Sequence, residues 1–281
     1  MTRSDPNALC TATVEALAQE RLTQGLPLPF PDKDPNGMFG PSDPRDRSFE
    51  QEWRRFRALA NTRLPCPASD ALLRTQDLLL RCVIERRGTT TVDAIAPSTA
   101  DPRISIWRGD ITTLAADAIV NAANSGMTGC WSPLHSCIDN AIHTFAGIQL
   151  RIECAAYMQQ AGRPEPTGHA VVTGAYNLPP RHVIHTVGPI ANGRPTALHR
   201  EQLADCYRAC LDAAATAGDA SIAFCCISTG IFGFPQAEAC AIATRTVRGW
   251  LDDHASRTTP FVIFAVFTDT DEELYHAALD R

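Results

Sequence analysis

Hydrophobic positions along this chain follow two rules, and the change from one to the other falls near residue 100. Before it, apolar residues recur at helical spacing in residues 13–24, 49–63 and 69–87. Leu72, Leu79, Leu80 and Val83 mark one face of the third stretch, and Ser69 stands where an N-cap belongs. Residues 27–44, rich in Pro, Gly and Asp, predict a loop between the first two helices. Beyond residue 100, short apolar runs predict strands at residues 103–107, 117–120, 170–173, 182–187, 221–227 and 261–267. Several of these are apolar on both faces, so their sheet must be covered on both sides. Longer periodic stretches at residues 138–160, 195–217, 235–253 and 272–279 predict the helices that cover it. The expectation is an α/β fold with a mixed sheet between helices over residues 101–281, preceded by a helical extension over residues 1–100.

Composition narrows the class. With 281 residues and 44% hydrophobic content, the chain has enough apolar mass for a substantial core. It carries 25 basic and 31 acidic residues, a formal charge of -6, and no basic block that would track a phosphate backbone. Nucleic acid is therefore not an expected partner. No run of eighteen apolar residues occurs, and the first residues lack the apolar stretch of a secretory signal, so the expectation is a soluble cytoplasmic protein without a membrane partner. The eleven cysteines are odd in number and scattered through core-like segments such as Phe224-Cys225-Cys226-Ile227. In a reducing compartment such cysteines serve as small buried hydrophobes.

Two cysteines break that rule. Cys130, His135 and Cys137 stand close together after Asn121-Ala122-Ala123-Asn124, offering two thiolates and an imidazole with no obvious fourth ligand. Zinc takes these groups readily, and zinc sites that do chemistry keep a coordination position open. Cys154, a helix length further on, is poorly placed to close the set. Asp139 and His143, four apart on a predicted helix, share a face beside this loop; Asp139 suits a base or orienting group, or simply a favourable charge at a helix start.

Loops that follow strands and lead into helices are where α/β sheets bind ligands. Asn121 and Asn124 follow one strand and suit ribose hydroxyls, although Asn is also common turn chemistry. Ser228-Thr229-Gly230-Ile231-Phe232-Gly233-Phe234-Pro235 follows another strand and can present backbone N–H groups to a diphosphate, or form a tight turn. Asp110 can accept from an exocyclic amine or cap a turn, and Phe267 can stack a base or pack.

Taken in order, Gly109-Asp110-Ile111-Thr112, Asp117 to Asn124, Ile142-His143 with Ala146-Gly147, and Ser228 to Pro235 resemble the macrodomain family. Where ordinary macrodomains carry a glycine run, this chain has Gly129-Cys130 to Cys137, and in that it resembles the zinc-dependent branch, which also bears an N-terminal helical extension. The resemblance implies a three-layer α/β/α fold that binds ADP-ribose and a Zn2+-dependent hydrolase that removes mono-ADP-ribose from protein side chains. By the same resemblance, Asp110 and Ile111 would hold the adenine, with Phe267 near it. Asn124 would contact the distal ribose and Asn121 support the loop, while Ser228, Thr229, Gly230, Ile231 and Phe232 wrap the diphosphate. Cys130, His135 and Cys137 would hold zinc, with Asp139 and Asn124 at the reacting centre. The linkage expected is an ester to Asp or Glu. Some members of that branch resemble partners of sirtuin-like ADP-ribosyltransferases acting on a lipoylated carrier protein. Two further readings stay open: an ADP-ribose-binding reader without activity, and a hydrolase of a small ADP-ribose derivative.

Overall fold

A computed structural model describes residues 5–30, 37–39, 43–255 and 259–279. Part of the loop expected at residues 27–44 lies outside the described residues. The chain divides into two compact units, one formed by Met1–Gly88 with Thr128–Ala155 and the other by Thr89–Met127 with Ala156–Arg281.

The first unit is helical: α1 (Pro6–Thr23), α2 (Phe49–Asn61), α3 (Asp70–Arg87), α4 (Ile138–Ala146) and the first part of α5 (Ile148–Ala161). Helix α1 begins earlier than its periodicity predicts, because Asp5 accepts from Asn7 N–H and Pro6 occupies the first turn, where its missing N–H is no loss. Ser48 and Gln51 close a reciprocal capping box on α2, and Ser69 caps α3 as expected. Their apolar faces meet in a core around Cys10, Val14, Phe56, Leu79, Leu80 and Ile148. Arg63 grips Glu20 at two points, 2.7 and 2.8 Å, tying the end of α2 to α1. The single helix expected at 138–160 is two. Gly147, at φ 98°, takes a conformation that costs other residues energy, and the chain turns there between α4 and α5.

The second unit contains the sheet. A short parallel pair joins β1 (Thr90–Thr91) to β3 (Leu114–Ala115). The main sheet has six strands: β2 (Ile104–Arg108), β4 (Ala118–Ala123), β5 (Ala170–Gly174), β6 (His182–Val187), β7 (Ser221–Phe224) and β8 (Phe261–Val266). Their order is β2-β8-β7-β4-β6-β5, parallel except for β5, which runs antiparallel at the edge. This is the expected mixed sheet. Central β7 is buried at every position and β4 at nearly every one, which explains their unalternated apolar sequences. The remaining helices of this unit are α6 (Ala197–Ala217), α7 (Gln236–Asp253) and α8 (Asp269–Leu279).

Because five strands run parallel, their carboxyl ends share one edge of the sheet, and Asp110, Asn124, Gly188, Ser228 and Phe267 follow those ends. The opposite edge is stapled by charge. Asp219 accepts from Arg181 at 2.8 Å and sits 2.9 Å from His182 Nδ1, while Asp117 accepts from the Ala220 N–H at 2.7 Å. Among the described residues, no helix is long and apolar enough to cross a membrane.

Candidate functional site

In the sheet unit, Asp110 N-caps the short turn Ile111–Thr113, accepting from Thr112 N–H at 2.9 Å and Thr112 Oγ1 at 2.6 Å. Ile111 is buried beneath it. Phe267, directly after β8, is 76% exposed, so its ring is open to solvent. Asn124 holds its own turn, its Oδ1 accepting from Gly126 N–H at 2.9 Å. Glu165 N–H donates to Ser125 O at 2.9 Å and braces the same turn from the far side of α5.

Asn121 is different in kind. It is fully buried on β4, and its Nδ2 donates to His185 Nδ1 at 3.1 Å. His185 Nε2 lies 2.9 Å from Thr173 Oγ1. With the Asn amide donating, His185 must carry its proton on Nε2 and give it to Thr173. Burial pushes the imidazole down to about 3, so it stays neutral. This three-strand relay across β4, β6 and β5 sets the rigid floor from which the Asn124 turn rises.

Ser228–Phe232 forms a loop whose shape is set by close approach. Ser228 has φ 65° and is buried, and its hydroxyl has no hydrogen-bond partner among the described residues. A Cβ at Gly188 would stand 2.1 Å from Ser228 Oγ, so any side chain there would force Ser228 to shift. Phe232 O accepts from Ala191 and Asn192 N–H at 2.8 and 3.0 Å, and Phe234 N–H closes the turn onto Ser228 O at 2.9 Å. Among the described residues, the N–H groups of Gly230, Ile231 and Phe232 donate to no carbonyl. A run of unspent donors beside a buried hydroxyl suits an anion rich in acceptors.

In the helical unit, the ligand atoms of Cys130, His135 and Cys137 lie within 4.8 Å of one another. Cys130 Sγ is 3.6 Å from His135 Nδ1. A sulfur at about 2.3 Å and a nitrogen at about 2.05 Å from one tetrahedral ion stand about 3.6 Å apart, so the spacing fits zinc. Cys154 is not in this group; its sulfur lies instead within 4.8 Å of a His143 ring nitrogen. Burial pushes the Cys137 thiol up to about 11, against an opposing hydrogen bond from Asn140 N–H and with added repulsion from Cys130 and Asp139. A metal cation would displace that proton and bind the thiolate. Asp139, in the first turn of α4, is buried, and its Oδ1 lies 3.6 Å from His143 Nε2.

Four residues that sequence reasoning passed over hold this loop. Arg57 donates to His135 O and Asn140 Oδ1, and Asn61 accepts from Leu134 N–H. Asn140, fully buried, donates its amide to Ser132 O and its backbone N–H to Cys137 Sγ. Arg151 is buried, donates to Asn61 O and Cys130 O, and lies 4.3 Å under the Trp131 ring. Nothing local in the sequence marks Arg57, Asn61 or Arg151. Asn140 alone had a signal, its position just after the last ligand.

Parallel strands whose carboxyl ends lead into a loop suited to an anion define an α/β protein of the kind that binds ligands beyond those ends. The Macro domain model matches residues 120–243. A Protein-ADP-ribose hydrolase of Treponema medium is 51% identical over 223 residues, 79% of this chain and 85% of its own length. A protein of the same name from Staphylococcus aureus (strain MRSA252) is 48% identical over 235 residues, covering 83% of this chain and 87% of its own. Among solved structures, a Trypanosoma brucei macrodomain in complex with ADP-ribose aligns with TM-score 0.62 at 30% identity, over 79% of this chain and 94% of that one. The Oceanobacillus iheyensis macrodomain with ADP aligns with TM-score 0.58 at 37% identity, over 63% of this chain and 90% of that one. The chain belongs to the macrodomain family.

Proposed function

We propose that this protein is a zinc-dependent hydrolase that removes mono-ADP-ribose from protein side chains, with an ester to Asp or Glu as the linkage cleaved. The observation that carries the reading is the Cys130, His135 and Cys137 cluster, with its zinc-compatible spacing, in a chain about half identical to proteins named Protein-ADP-ribose hydrolase. Cys130, His135 and Cys137 would hold the zinc, which would supply Lewis acidity to the reacting oxygen.

The other residues bind and orient. Asp110 accepts from the adenine amine, with Ile111 at its back and the Phe267 ring against the base. Ser228 to Phe232 offer their hydroxyl and N–H donors to the diphosphate, and binding energy spent there fixes the distal ribose without new contacts at the reacting bond. Asn124 contacts the distal ribose, while Asn121 holds the strand beneath it. Asp139 takes the proton of the attacking water or orients that water. Oxygen adds at the anomeric carbon, the bond from that carbon to the ester oxygen breaks, and the Asp or Glu leaves as a carboxylate, which needs little acid help. The partners in this reading are ADP-ribose and a mono-ADP-ribosylated protein, with a sirtuin-like transferase and a lipoylated carrier as further partners to be tried. The place of action is the cytoplasm.

The test combines metal analysis with release of ADP-ribose from a glutamate-linked substrate. Wild type is expected to carry about one zinc and to turn over; Cys137→Ala loses both, and Asp139→Ala keeps zinc while losing turnover by about a hundredfold or more. Full activity in metal-free protein would refute the zinc requirement. Binding of ADP-ribose with no release would favour a reader, and preference for a small ADP-ribose derivative would redirect the substrate.

A further inference from the structure

The helical segment before residue 100 supplies none of the proposed ligand-binding, catalytic or metal-ligating residues, yet two of its side chains reach the metal-ligand loop. Arg57 Nη2 donates to His135 O at 3.2 Å and to Asn140 Oδ1 at 2.9 Å, joining α2 to residues far along the chain. One turn further along α2, Asn61 is 1% exposed; its Oδ1 accepts from Leu134 N–H at 3.4 Å, and its Nδ2 donates to Thr144 Oγ1 at 3.0 Å. The backbone on both sides of the His135 ring is therefore held from α2. Asn140 carries the restraint to the third ligand, since its N–H donates to Cys137 Sγ at 3.4 Å and its amide donates to Ser132 O at 3.1 Å. Leu134 has φ 60°, a left-handed conformation that a leucine adopts only when its surroundings impose it.

We propose that Arg57 and Asn61 are positioning residues for the zinc loop: α2 pre-sets the spacing of Cys130, His135 and Cys137, so the helical extension is part of the metal site. This rests on the zinc reading above. Outer partners of metal ligands ordinarily set affinity by fixing ligand direction before the ion arrives. Here the hydrogen bonds go to the ligands' backbone and to Asn140, and they leave the His135 ring free to turn its Nδ1 to the ion.

The experiment measures zinc affinity of the full-length protein by competition with a chromogenic chelator, together with the thermal midpoint of the metal-free protein. Arg57→Met and Asn61→Leu are expected to weaken zinc binding about tenfold to a hundredfold. Arg57→Lys, which keeps a donor and the charge, recovers part of the loss. Alkylation of Cys130 and Cys137 in the metal-free variants becomes faster as the loop loosens. Variants that bind zinc as wild type does while their midpoints fall would overturn the proposal, leaving both residues to hold only the fold. If Arg57→Met does not fold, Arg57→Lys decides the question: unchanged zinc affinity and unchanged alkylation in that variant overturn it. Wild-type protein that takes up no zinc in the same titration overturns the metal reading itself, and so separates the two failures.

Discussion

Gly188→Ala is a one-carbon change with a calculable consequence. The added methyl would stand 2.1 Å from Ser228 Oγ and 2.8 Å from Ile227 Cγ2, whereas ordinary contact begins at 3.4 Å, so Ser228 must retreat by about 1.3 Å. It has little room to do so. Ser228 is buried, and its carbonyl is held by Phe234 N–H at 2.9 Å. Crowding of this kind costs about 1–3 kcal/mol. At roughly 2–4 °C per kcal/mol for a chain of this size class, the midpoint should fall by several degrees. The larger effect should be on binding, because Ser228 opens the loop proposed to hold the diphosphate. Losing that hydroxyl's hydrogen bond to the charged diphosphate should weaken ADP-ribose by about 1.5–3 kcal/mol, roughly tenfold to a hundredfold. Titration calorimetry with ADP-ribose and thermal melts read the two effects. Ser228→Gly in the same chain removes the clashing oxygen and suits the backbone at φ 65°, so the double variant should regain much of the lost midpoint. Wild-type binding and stability in Gly188→Ala, or no recovery in the double variant, would show that Gly188 is not the constraint described.

His185 gives the protein a pH signature. Its folded value of about 3 lies below the unfolded value of about 6.5, so above that higher value both states are neutral and stability is complete. As pH falls towards the folded value, only the unfolded chain takes up this proton, and stability drops by about 1.4 kcal/mol per unit. Urea unfolding of wild type and His185→Asn between about pH 7 and 5 should show the variant's slope shallower by about one proton; equal slopes would contradict a neutral buried imidazole. Phe267→Ala touches an exposed ring, so stability should change by less than about 0.5 kcal/mol. Its effect should fall on the base instead, weakening ADP and ADP-ribose alike by about fivefold or more. A ribose phosphate without adenine should bind unchanged, and equal loss for that ligand would place Phe267 elsewhere.

Strands His182–Val187 and Phe261–Val266 were legible because runs of β-branched and aromatic residues between turn formers have few other fates in a folded chain. The strand expected at residues 221–227 stops at Phe224 because the chain must leave the sheet to build the Ser228 turn, and apolarity does not record that departure. Gly147 divides a helix whose apolar period continues through it, and periodicity cannot see a change of φ. Cys130, His135 and Cys137 could be grouped from spacing alone because one short loop brings them together. Arg57, Asn61 and Arg151 could not, since their contacts with that loop exist only once α2 and α5 have packed.

The helical unit receives its chain in two instalments, Met1–Gly88 and then Thr128–Ala155. Synthesis at about 5–20 residues per second leaves roughly 3–13 s between the emergence of Gly88 and that of Ala155. During that interval α1, α2 and α3 have only one another to cover Phe56 and Leu79, since Ile148 of the same core has yet to appear. The three metal ligands also arrive in the second instalment. Zinc therefore cannot bring the first three helices together; they must find each other through their own apolar faces before the metal-ligand loop is made.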